Sequence, residues 1–171
     1  MATAQELLPD PHKVFHEHTE LQLLAMALFG EARGQPAETR VGIGDAILNR
    51  ALHPSWWGRN LKEVILKPWQ FSSFNGPEVI QGITPDRTDP NYGKLREPLK
   101  YESPKVWEAC CEAASAVYQR LTEVTRPDAV QGANHYYDTS IPAPRWADET
   151  KFVTALPAGR SGHEVRFYKL S

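Results

Sequence analysis

Glu31 sits in the segment Phe29-Gly30-Glu31-Ala32-Arg33-Gly34, which helical periodicity places in the last turn of a helix. Two effects there favour its protonated form. The negative end of the helix macrodipole disfavours a carboxylate, and Leu28, Phe29 and Ala32 are apolar neighbours that desolvate it. A carboxyl held neutral near physiological pH can hand a proton to a departing oxygen, which is what a general acid does. The residues alone also allow a solvated surface glutamate paired with Arg33 or Arg50.

A bound ligand needs more than a proton donor. Gln70-Phe71-Ser72 puts an amide, an aromatic ring and a hydroxyl into one loop, a mixture that orients a polyhydroxylated molecule. Gln70 and Ser72 are therefore candidate binding residues, and Phe71 and Phe74 read as core anchors. In His135-Tyr136-Tyr137, the phenol of Tyr136 can stack on a sugar and hydrogen-bond to it, while Tyr137 points the opposite way. Trp146 follows a proline-rich stretch that would present its indole as a rigid stacking surface. A packed strand tyrosine and an indole that anchors its own loop are the plain alternatives. Of Trp56 and Trp57, one is expected to plug the core beneath the second helix while the other lines a cleft.

Other chemistry-bearing residues point elsewhere. Cys110 and Cys111 are adjacent, so a disulfide between them would be strained; they read as two free thiols packed inside a helix. His12, His16 and His18 have spacings that can bring imidazoles together, but no HExxH motif or downstream acidic ligand accompanies them. A solvated N-terminal arm is the expectation, and no metal or other cofactor is expected.

The elements that must position these residues are legible from caps and periodicity. Thr19 and Gln22 have capping-box spacing, and Leu21, Leu24, Ala25 and Leu28 follow at helical intervals, predicting a first helix that ends near Gly34. A second opens with Pro36 in its first turn and runs to about Arg50, with Val41, Ile43, Gly44, Ile47 and Leu48 on an inward stripe. Gly42 and Gly44 weaken it by about 1 kcal/mol each and read as the place where the Glu31 helix comes close. Asn60, with Glu63 three residues on, caps a short helix through Leu66 that Pro68 closes. Residues 67–103 are loop-rich, and long ordered loops are usually functional. Ser103 and Pro104 open a helix to about Thr122, with Val106, Cys110, Ala113, Ala114, Val117 and Leu121 on one side. Residues 151–156 and 164–170 alternate like strands around a loop of hairpin composition. The fold class is α+β, mainly α-helical, with a small C-terminal β-hairpin.

The chain has 171 residues, enough for one domain that buries roughly two-thirds of its unfolded surface. Residues 19–171 are expected to form it, behind a loosely attached N-terminal lead-in of residues 1–18. There is no run of eighteen apolar residues, so membrane insertion is not expected. A formal net charge of −2, with 19 dispersed Lys and Arg, argues against nucleic acid and for a neutral or weakly charged polymer as partner. No secretory signal is legible in residues 1–13, so synthesis in the cytoplasm is expected. A monomer is expected.

Several separated segments, taken in order, resemble the cell wall hydrolases typified by the spore-cortex-lytic enzyme SleB. Leu23-Leu24-Ala25-Met26-Ala27-Leu28-Phe29-Gly30-Glu31-Ala32-Arg33-Gly34 resembles the family's signature helix, and Ile43-Gly44-Asp45-Ala46-Ile47-Leu48-Asn49-Arg50 the helix that follows it. Leu61 to Ile65, Gln70-Phe71-Ser72, His135-Tyr136-Tyr137, Pro144-Arg145-Trp146 and Arg166-Phe167-Tyr168 then match further landmarks, so the likeness runs from about residue 20 to 169. Ser73 stands where the family usually has a cysteine or another residue after the Gln-Phe-Ser element, and residues 77–103 form a longer insertion than in the spore enzymes.

The resemblance implies a lysozyme-like, mainly helical fold, Glu31 as catalytic acid, and lytic transglycosylase chemistry on peptidoglycan glycan strands. It admits three activities: a transglycosylase leaving 1,6-anhydro-MurNAc ends, a conventional muramidase or glucosaminidase, or a glycan-binding module without catalysis. A phage endolysin would fit the missing signal. Cleaving a glycosidic bond usually takes two carboxylates, and no second one is convincing here. Asp45, on the second helix, and Asp138, after the tyrosines, are the acids to test.

Overall fold

In a computed structural model of the chain, which describes residues 2–123 and 126–170, the local signals fold as their chemistry dictates. The first helix, α1 (Glu20–Ala32), starts behind Thr19, whose hydroxyl accepts from the Gln22 amide while the Gln22 side chain accepts from the Thr19 amide. That reciprocal box satisfies two otherwise orphaned donors. The next helix, α2 (Ala37–Leu52), has Pro36 at its N-cap. The short α3 (Leu61–Leu66) begins where the Asn60 side chain accepts from the Glu63 amide. After a run of 3-10 turns, the one-turn α4 (Pro98–Tyr101) leads to α5 (Pro104–Tyr118), which tightens into a 3-10 turn over Gln119–Leu121. Ser103 occupies the N-cap of α5, but its side chain makes no capping bond; Pro104 sets the entry angle instead.

The architecture is α+β and mainly helical, with α2 at its centre. Every residue from Gly42 to Arg50 is buried, because α1, α3, α5 and the sheet pack around that helix on all sides. A single inward stripe does not describe it. The two glycines accordingly serve different neighbours, not a shared contact with α1. A β-carbon at Gly42 would run into Leu156 of the sheet, and one at Gly44 into Val117 of α5. They lie two residues apart, which puts them on opposite sides of the helix.

The expected hairpin is present as β2 (Phe152–Pro157) and β3 (Glu164–Tyr168), and a further strand, β1 (His135–Asp138), pairs with the outer edge of β3. The sheet is antiparallel with order β1-β3-β2, and its register sets His135 opposite Tyr168 and Tyr136 opposite Phe167. Phe167 lies against α2 through Gly42, so Tyr136 shares the inner face, and Tyr137 faces outward against Trp146 and Tyr168.

Polar residues at core positions of α2 hold this together. Asp45, fully buried, receives Arg120 at 3.0 Å, Arg126 at 3.1 Å and the Ala129 amide at 2.9 Å. Asn49 bridges Asp128 and the Ala133 carbonyl. The chain leading from α5 to β1 is thus pinned to α2 by buried hydrogen bonds, which are costly to break because each orphaned partner would stay desolvated.

Residues 2–18 are fastened more firmly than a lead-in suggests. Leu7 and Phe15 belong to the main core, and the Trp107 indole donates to the Ala4 carbonyl. His18 is buried, its Nε2 accepting from the Asp10 amide and its Nδ1 lying 3.0 Å from the Val14 carbonyl. This histidine folds the segment back on itself instead of extending a solvated arm. No helix of the described residues is long and apolar enough to cross a membrane.

Candidate active site

Glu31 ends α1 at a cleft of about 510 Å³. The C-terminal end of α2 supplies Arg50 to its wall, the following loop Trp56, and residues 67–71 the opposite rim. On the sheet side stand His135, Tyr136 and Trp146. Of the described residues that line it, Glu31 is the one carboxylate.

Burial raises the Glu31 carboxyl above its ordinary value of 4.5, Ser73 opposes the shift, and Asp89 adds a smaller upward push. The macrodipole, which the sequence suggests as a second cause, is largely offset. Two carbonyls of that last turn are covered by guanidinium groups: Arg33 donates to Phe29 O at 2.8 Å, and Arg40 to Ala32 O at 3.2 Å. With those orphan carbonyls satisfied, desolvation is the main cause that raises the Glu31 carboxyl. Arg33 itself pairs with Glu102 at 3.1 Å, so the surface-pair alternative for Glu31 does not hold.

The Glu31 side chain is held from one direction. Ser73, in the turn Ser72–Phe74, donates its hydroxyl to Oε2 at 2.8 Å, with its amide at 3.4 Å from the same oxygen. That turn can lie against α1 only because residue 30 is glycine; a β-carbon there would collide with the Ser73 side chain. Oε1 has no protein partner among the described residues.

The sequence candidates separate once placed. Tyr136 and Trp146 stand in the cleft wall with Glu31. Burial and the Glu31 charge push the Tyr136 phenol up, with Arg50 opposing, so it remains a hydrogen-bond donor at any working pH. Gln70 lines the cleft, but its amide nitrogen is spent on the Trp57 and Val64 carbonyls, at 2.9 and 2.8 Å, leaving Oε1 buried without a partner. It braces the loop against α3 and has no donor left for a ligand. Ser72 is exposed and lies outside the cleft wall; its neighbour Ser73 makes the contact with the acid. Trp57 is buried and donates to the Arg50 carbonyl at 2.7 Å, while Trp56, 64% exposed, flanks the cleft, the division expected of that pair.

Asp45 and Asp138 are not at the cleft. The first is consumed by the network around α2, and the second accepts from Gln35 at 3.0 Å and from the Ser140 amide at 2.9 Å. Cys110 and Cys111 are buried in α5 without a disulfide.

Three residues escaped the sequence reading. Trp69 reaches φ 66°, the left-handed region, an uncommon conformation that turns the loop just ahead of Gln70, and Arg87 lies 4.5 Å from its ring centre. His135 has a tautomer that its neighbours determine. Asn134 Nδ2 donates to Leu170 O and its Oδ1 accepts from Leu170 N, so Oδ1 is an acceptor and His135 Nδ1, 2.9 Å away, must carry the proton. Its Nε2 is therefore a bare acceptor, and burial, with help from Arg50, lowers the imidazole to about 4. Arg50 is the third, and a charged residue at a core position of an apolar helix was the available signal.

A half-buried carboxyl, raised by burial, thus stands at one side of an open groove with aromatic walls, an arrangement with the chemistry for proton transfer to a bound ligand. Comparison with known proteins makes the class specific. Residues 34–159 match the family model described as Cell Wall Hydrolase, about three-quarters of the chain, and the chain belongs to that family. Glu31 lies three residues ahead of the matched span. The chain is 34% identical over 73 residues to a spore cortex-lytic enzyme of Halalkalibacterium halodurans, an alignment covering 43% of this chain and 21% of that protein. It therefore spans about a fifth of the length of the curated relative it matches. No solved structure matches.

Proposed function

We propose that this protein degrades peptidoglycan by cutting the MurNAc-GlcNAc backbone as a lytic transglycosylase, on a lysozyme-like arrangement of helices and a small sheet. The observation that carries the reading is that Glu31 is the single carboxylate lining the cleft among the described residues, and that burial raises its pKa in the direction a general acid needs. Membership of the cell wall hydrolase family supports the substrate class.

In this mechanism Glu31 protonates the glycosidic oxygen of the leaving sugar. As carboxylate it then takes the C6 hydroxyl proton of the muramic residue while that oxygen closes on C1, giving a 1,6-anhydro ring. Acid and base roles fall to one group, and the substrate supplies the attacking oxygen, so no water is consumed. Ser73 holds one carboxyl oxygen and leaves the other free for the proton transfer. Tyr136 donates to the glycan, and Trp56 and Trp146 offer rings for stacking. Access to the wall would follow release by lysis or by an export machine, as for a phage endolysin.

Digestion of purified sacculi in ¹⁸O-water tests the chemistry. Unlabelled anhydro-muramic ends are expected. Labelled reducing ends as the main product would replace the transglycosylase with a water-using muramidase or glucosaminidase, and intact sacculi with bound protein would leave a binding module.

A further inference from the structure

Arg50 differs from the other buried and half-buried arginines of this protein. Arg33, Arg96, Arg120, Arg126 and Arg166 each meet a carboxylate, and Arg40 is spent on three carbonyls at the end of α1. Arg50 is 7% exposed and, among the described residues, has neither. One bond fixes it: Nε donates to the Asn134 carbonyl at 2.6 Å. The Phe71 ring lies 5.3 Å from its guanidinium carbon. Both Nη groups lack protein partners, and neither is among the atoms sealed from solvent, so they open to the cleft that Arg50 lines.

A guanidinium cannot shed its charge by deprotonation, and holding it out of water without a counter-charge is unfavourable. The cleft supplies no compensation. Its one carboxyl among the described residues, Glu31, makes no ion pair with Arg50 and is bonded to Ser73 instead; Lys67 adds a second positive charge to the wall, and burial holds His135 down to about 4. A planar fork with free Nη donors, already oriented and set in a positive groove, is matched by a carboxylate.

We propose that Arg50 binds a carboxylate of the substrate, either the free lactyl carboxylate of a peptide-free muramic acid or a free carboxylate of its stem peptide. This deepens the glycan-cleaving reading and rests on it. It gives the site a preference that the sugar-stacking rings alone would lack, since those rings meet charged and neutral muramic residues equally well.

Calorimetric titration of the full-length Glu31→Gln variant, which cannot turn its ligand over, tests this with three disaccharides of GlcNAc and MurNAc. One carries the free lactyl carboxylate, one its neutral methylamide, and one the stem peptide on an amidated lactyl group. The charged disaccharide is expected to bind roughly tenfold or more tightly than the methylamide, the loss typical when a charged hydrogen-bond partner is removed. Tight binding of the peptide-bearing disaccharide, with the other two weak, would place the contact on the stem peptide. Added Arg50→Gln should abolish the difference and Arg50→Lys restore part of it. The comparison among ligands, made with Arg50 in place, stands even if Arg50→Gln fails to fold. Equal affinity for all three ligands overturns the role of Arg50, while sacculus digestion by the wild type would keep the parent reading intact. No binding of any ligand together with undigested sacculi sinks both.

Discussion

Ser73 Oγ lies 2.8 Å from Glu31 Oε2 and donates to it, across a gap that the absent side chain of Gly30 leaves open. The contact favours the carboxylate and so holds down a pKa that burial holds up. Ser73→Ala removes the donor and should raise the Glu31 pKa further. A general acid is lost as pH rises through its pKa, so the alkaline limb of the rate profile should move to higher pH in the variant. Initial rates on solubilised glycan strands across pH would show it; a limb that stays put would mean that Glu31 is not the group titrating there.

Glu31→Gln should lose at least ~100-fold in turnover, since an amide cannot deliver the proton. The same substitution has a signature in stability. The folded-state pKa is raised above 4.5, so the contribution of the wild-type carboxyl is fully present below that value and is lost as pH rises through the folded pKa. The amide of the variant does not titrate. Melting temperatures of the two proteins should therefore converge at low pH and separate, in favour of the variant, as pH rises.

Asp45→Asn should leave turnover per folded molecule unchanged and lower stability by about 1–3 kcal/mol, because Arg126 would lose its carboxylate at a half-buried position while Arg120 keeps Asp128. Denaturant unfolding and active-site-normalised rates separate the two quantities. A stable variant with collapsed turnover would make Asp45 the second carboxylate of a hydrolase.

The thiols should be silent. Burial pushes Cys110 up to about 11 and Cys111 up to about 12, leaving almost no thiolate at neutral pH. A thiol-specific chromogenic reagent should report no reactive cysteine until the protein unfolds. Replacing both with alanine should cost roughly 1–3 kcal/mol from lost burial and leave activity unchanged.

Signals that act within a few residues could be read from the chain. Thr19 and Asn60 begin helices through bonds to the third residue beyond, and the glutamate of α1 stands out among apolar neighbours. What escaped depends on partners far along the chain. Helical periodicity implies one buried face, and α2 has none exposed along Gly42–Arg50, so the pairing of Asp45 with arginines 75 and 81 residues away carries no local sign. His135-Tyr136-Tyr137-Asp138 lacks an alternating pattern, being short and mostly half-buried, and becomes a strand through β3. Ser72 and Ser73 are indistinguishable in composition; their positions along one 3-10 turn decide which meets Glu31.

The strand order β1-β3-β2 places the last strand of the sequence between the two made before it. Neither β1 nor β2 can find its neighbour until residues 164–168 have been synthesised, and the Asn134 clasp that orients His135 waits for Leu170. The helices, with Glu31 on α1, can pack earlier from contacts nearer in sequence. On the ribosome, then, Glu31 is placed first, and the sheet side of the cleft with His135 and Tyr136 stays unbuilt until β3 has emerged.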